Sequence, residues 1–278
     1  MVIEEKKLTH WIKNFYGYGS WQSKVWFIGY EESGGEVPEE VAEKLEYFYK
    51  VHPFADEPTL CNIRELYKQV AIRWDPPSRK NSNDKTSLLA NRYEYRFDTN
   101  AVQNGVWKNL IAFVHGYRGE NLPDLLEYQK NIFASPSAGN EALMQLYPLP
   151  SPHNHAWYYS WLDIPQMGFL KSRALYQEYL LQRRITTIIT KIQTFKPEVV
   201  LMYGMDNITT LKNFFQQFFP GAKFKMSKAT KLQIPQYHRA DVDGTTILIT
   251  TQIPALRHNR IETGFDWEEF GKRVRSDP

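Results

Sequence analysis

The sequence predicts an α/β fold: a three-layer sandwich with a central, mainly parallel four-stranded sheet, helices on both faces, and a helical insertion at about residues 59–139. Three observations lead there. Four short apolar runs read as strands, and amphipathic stretches with recognisable helix starts and stops lie around them. The two kinds of segment alternate along the core of the chain. Alternation of this kind favours a parallel sheet covered by helices.

The elements follow in order. "EEKKLTHWIKNFYG" (4–17) places Leu8, Trp11, Ile12 and Phe15 at helical spacing. "KVWFIGY" (24–30) is a buried strand. "PEEVAEKLEYFYK" (38–50) opens with Pro38 and two glutamates, a helix N-terminal signal, and aligns Val41, Leu45 and Phe48 on one face. "LCNIRELYKQVAI" and "VQNGVWKNLIAFVHG" read as helices of the insertion, separated by the proline-rich loop "RWDPPSRKNSNDKTS". "EALMQLYPLPSP" (141–152) is the second strand. A long helix spans about 172–195 and stops before Pro197. "PEVVLMYG" (197–204) is the third strand, "NITTLKNFFQQFF" a helix, and "TTILITT" (245–251) a β-branched fourth strand preceded by the turn signal "VDG". "DWEEFGKRV" closes the chain as a helix. The whole reads as one domain over 1–278.

Composition excludes several classes. No apolar run approaches the ~20 residues that span a bilayer, and the N-terminus lacks a signal peptide's apolar stretch. Cys61 is the single cysteine, so no intramolecular disulfide forms. A reducing cytoplasm is the expected compartment. The formal charge of +3 is too small to identify a partner.

In parallel sheets, sites form at the carboxyl ends of the strands. Four loops leave those ends. In "GYEESGG", Glu31 or Glu32 suits a general base or a cation stabiliser, and Ser33, Gly34 and Gly35 allow close backbone approach. The plain alternative is a solvated loop. No Lys-Ser/Thr follows, so this is not a phosphate loop. In "YPLPSPHNHAWYY", His153 and His155 lack a third ligand at metal-binding spacing, so no metal is expected. Trp157, Tyr158, Tyr159 and Trp161 suit base stacking or loop packing equally. "YGMDN" is the third loop. In "TQIPALRHNR", the apolar Leu256 beside Arg257, His258 and Arg260 suits a wedge with phosphate contacts, or a solvated turn. Arg183 and Arg184 on the long helix read as a solvated face.

Taken together, these loops resemble the uracil-DNA glycosylase superfamily over about residues 24–50 and 140–275. In that likeness "FIGYEESGG" is similar to the first motif: Tyr30 takes its polar position, Glu31 the place of the water-positioning aspartate, and Glu32 a position often held by proline. "LMQLYPLPSP" resembles the base-reading strand, with Gln145 where the family has asparagine. "QIPALR" resembles the last motif, with Gln252 in the place of its histidine and Leu256 as the wedge. Arg260 falls on an arginine of some branches. The resemblance implies Glu31 and Gln252 as catalytic, and Tyr30, Glu32, Gln145, His153 and Asn154 as base-binding. It implies Leu256, Arg257, His258 and Arg260 as DNA-binding. The altered asparagine and histidine positions point away from plain uracil and towards a non-standard or modified base, such as a hypermodified base in phage DNA. DNA is the expected partner, with no cofactor and a monomeric chain. Two other readings stand beside it: a non-catalytic nucleic-acid binder on the same fold, and a metal-dependent hydrolase using Glu31 and Glu32.

Overall fold

The N-terminal stretch forms α1 (Glu5–Asn14) and passes straight into β1 (Phe15–Tyr18). Periodicity extends that helix to Gly17; the structure ends it at Asn14, because the aromatic run Phe15–Tyr18 is buried throughout and favours pleated backbone. The computed structural model describes residues 3–54, 56–74, 90–151, 157–230, 234–255 and 265–276. The next elements are β2 (Val25–Ser33), α2 (Pro38–Val51), β3 (Thr59–Cys61), α3 (Ile63–Lys68) and α4 (Arg92–Phe97). They are followed by α5 (Gly105–Arg118), α6 (Leu125–Asn131) and β4 (Glu141–Ser151). The chain then runs through 3₁₀ segments at Tyr158–Trp161 and Pro165–Lys171 into α7 (Arg173–Phe195). It ends with β5 (Val199–Tyr203), α8 (Ile208–Phe218), β6 (Lys225–Ser227), β7 (Tyr237–Val242), β8 (Thr245–Ile249) and α9 (Trp267–Ser276).

The strands form one sheet of eight, in the order β3-β1-β4-β2-β5-β8-β7-β6. The four expected strands are its middle: β4, β2, β5 and β8 run parallel to their neighbours in that group. The edges are mixed. β1 pairs antiparallel with β4 and parallel with β3, while β7 and β6 extend the other side antiparallel. The expected four-stranded, mainly parallel sheet is therefore corrected to an eight-stranded mixed one. The four extra strands are three to six residues long, too short to carry a readable alternation.

Opposite faces are covered by different helices. Phe27 meets Phe113 of α5, and Phe113 meets Phe270 of α9. Trp26, the next residue on the strand, meets Trp21, which stacks on Phe195 of α7. Adjacent strand residues point to opposite faces, so α5 and α9 cover one and α7 the other. The segment 59–139, expected as an insertion, supplies β3 and α3–α6, and Leu110, Ile111, Phe113 and Val114 of α5 are fully buried in the core.

Arg184 corrects the solvated-face reading of the long helix. It is buried, and its guanidinium donates to the carbonyls of Leu146, Phe15 and Gln145 over the ring of Tyr16. The side chain stitches β1 to β4. Among the described residues, no helix is long and apolar enough to cross a membrane.

Candidate functional site

The parallel register sets the floor of a cavity. Gly29 of β2 lies opposite Gln145 of β4 on one side and Tyr203 of β5 on the other. A Cβ at Gly29 would fall 2.9 Å from the Tyr203 hydroxyl, so only glycine leaves that ring its place. Above this row opens a cavity of about 620 Å³, at the carboxyl ends of the strands. That is a size typical of small-molecule sites. Its walls include Asn104 and Trp107 at the start of α5, Arg173 and Gln177 at the start of α7, and Asp206 and Ile253 beyond β5 and β8. The two helices begin here for local reasons. The Asn104 side chain accepts from the Val106 and Trp107 N–H groups, and the Ser172 hydroxyl accepts from Leu175.

Glu31 is held at both oxygens. Gln177 donates to Oε1 at 2.7 Å, and Arg173 lies 3.0 Å from Oε2. Burial pushes the Glu31 carboxyl above its ordinary value, and Arg173 and Gln177 reverse only part of that. The result is an oriented carboxylate more basic than a solvated one. Tyr30 packs edge-on against Tyr147, and burial, with the nearby charge of Asp206, keeps its hydroxyl protonated. Burial, with the charge of Glu32, likewise keeps the Tyr203 hydroxyl protonated.

Glu32 turns away from Glu31. Its Oε1 accepts from Tyr18 at 2.6 Å and lies 3.9 Å from Lys44. Lys44 is also 3.3 Å from Glu40, and Arg92 donates to both Glu40 oxygens. These four side chains form a buried group of two acids and two bases. Burial raises the Glu32 carboxyl, opposed by Lys44 and Tyr18. Burial would also raise Glu40, but Lys44 and Arg92 outweigh it and bring that carboxyl down to about 2.

Of the residues singled out from sequence, Tyr30, Glu31, Glu32 and Gln145 line this one cavity. Gln252 does not. It is half-buried just after β8, and its carbonyl accepts from the Gly204 N–H. His153, Asn154, Leu256, Arg257, His258 and Arg260 lie outside the described residues. Sequence reading missed Tyr203, Gln177, Asn104 and Trp107. Arg173 and Gln177 did carry a signal, a spacing of four on one helix face. Tyr203 carried none beyond its place at the end of an apolar run. Among the described residues, no group of three His, Cys, Asp or Glu side chains is placed to hold a metal ion.

The chain matches no protein-family model. It matches no curated protein either. A second cavity, of about 720 Å³, lies between α1 and α7. Its apolar wall includes Ile12, Phe169 and Tyr179, and its charged groups (Glu5, Lys13, Arg183) stand at the surface. The arrangement with oriented, perturbed side chains is the one at the strand ends, where a planar polar ligand would meet Trp107 and Tyr203 as well as carboxylate and amide groups.

Proposed function

We propose that the strand-end cavity binds a base turned out of DNA and that the chain hydrolyses its N-glycosidic bond, acting on a non-standard or modified base. The observation that carries this reading is Glu31: a half-buried, oriented carboxylate of raised basicity beside Tyr30, Gln145 and Tyr203 in one cavity. In such a reaction the bond from the sugar C1′ to the base nitrogen breaks, and its electron pair leaves with the base. Positive charge develops on the sugar, and water adds at C1′. Glu31 orients that water and takes its proton, and its charge stabilises the cationic sugar. Arg173 and Gln177 hold the carboxylate in place. The neutral Tyr203 hydroxyl and the Gln145 amide are the cavity groups suited to donate to the leaving base, a part the resemblance gives to Gln252.

The test is incubation with DNA duplexes carrying uracil, mismatches and hypermodified cytosines, scored for abasic sites. Release of at least one base supports the reading; no release at high protein concentration removes it. Binding without base release is the second reading, and one observation favours it: both oxygens of Glu31 already have protein partners.

A further inference from the structure

Three carboxylates line the cavity: Glu31 is paired with Arg173, Glu32 lies 3.9 Å from Lys44, and the third is Asp206. Two of the lining side chains also carry an oxygen with no hydrogen-bond partner. Glu32 is 2% exposed and its Oε2 is unpartnered; Gln145 is 5% exposed and its Oε1 is unpartnered. Each such buried oxygen costs free energy until an N–H reaches it. Arg173 and Gln177 are turned to Glu31, and the Tyr203 hydroxyl and the Gln145 amide N–H remain as cavity donors. The two unpartnered oxygens call for a ligand that brings N–H donors.

We propose that the cavity selects an amino-bearing base, of cytosine, adenine or guanine type, over a base with keto groups alone, and that Glu32 and Gln145 read the amino group. The inference rests on the base-binding reading above. Uracil and hypoxanthine offer one ring N–H on that edge. Cytosine and adenine offer two amine N–H groups in its place, and guanine adds two to the ring N–H it shares with hypoxanthine. A site built to accept from an amine rejects the analogue that lacks it, because its own buried oxygens stay unpaired. In the cytosine–uracil pair the cavity carboxylates also repel the carbonyl oxygen that takes the amine's place.

The experiment is equilibrium binding of short DNA strands that differ only at one central base, compared in matched pairs: cytosine with uracil, and guanine with hypoxanthine. The amino-bearing member of at least one pair is expected to bind about tenfold tighter. Glu32→Gln and Gln145→Leu should each reduce that preference, read as the ratio of the two affinities within a pair. Glu32 belongs to the buried charge group, so Gln145→Leu guards against a folding defect, and the wild-type comparison needs neither variant. Equal or tighter binding of the keto member within each pair, with the two pairs bound differently from each other, overturns this inference and leaves the base-binding reading standing. Binding that ignores the central base altogether overturns both.

Discussion

Glu31 sits near the carboxyl end of β2, where the buried run Val25–Gly29 gives way to half-buried positions, and its two oxygens are fixed by Arg173 and Gln177. Glu31→Gln keeps the shape and removes the base. Base release should fall about 10²–10⁴-fold, with DNA affinity nearly unchanged. Because burial raises the carboxyl, the acid limb of the pH–rate profile should lie above the ordinary carboxylate value of 4.5; a limb at or below it would contradict the role. The strand end made Glu31 legible in sequence, since a carboxylate at that point is held rigidly. Other residues were not legible. Lys44 stands in a charged helical stretch yet is fully buried, and Arg184 does the same on α7. Neither local pattern reveals that a partner from a distant strand waits for the side chain. Arg184→Met should cost about 2–4 kcal/mol in chemical denaturation, because three strand carbonyls lose their donor. A loss under about 0.5 kcal/mol, the range of an ordinary surface change, would contradict the stitching role.

At the scale of elements, the longer helices and the four central strands were readable, and the short helices α4 and α6 and the sheet edges were not. β1, β3 and β6 have three or four residues each, too few for a period to show. β7 did carry a sign. Asp243 and Gly244 have φ of 49° and 87°, the two positive values of a tight two-residue hairpin, so Asp-Gly announced a strand before it as well as after. The pairing of α5 with α9 depends on glycine. A Cβ at Gly271 would lie 2.1 Å from the Phe113 carbonyl oxygen. Gly271→Ala should therefore destabilise the fold by about 1–3 kcal/mol through overpacking, even though alanine is the better helix former. An unchanged or raised melting temperature would show that the two helices are not so closely seated.

Across the whole molecule, the mixed sheet brings the ends of β2, β4 and β5 and the starts of α5 and α7 to one cavity, with the buried charge group beside it. That group sets a pH dependence. Glu40 titrates at about 2 in the folded chain against an ordinary 4.5, so its stabilisation is complete above about 4.5 and is lost as pH falls from there towards 2. The amount is about 3 kcal/mol. Glu31 and Glu32 act in the opposite sense: with raised folded values, their contributions are present below 4.5 and fade as pH rises through those values. Unfolding free energy measured between pH 5 and about 2 should fall more steeply for the wild type than for Glu40→Gln; parallel curves would contradict the assignment. The central proposal, that Glu31 drives base release in this cavity, is tested most directly by single-turnover release from a base-modified duplex, with wild type and Glu31→Gln compared at equal DNA occupancy. Release by the wild type, with the variant bound but at least about a hundredfold slower, is the expected result. Equal release rates, or none from either protein on any base, would contradict it.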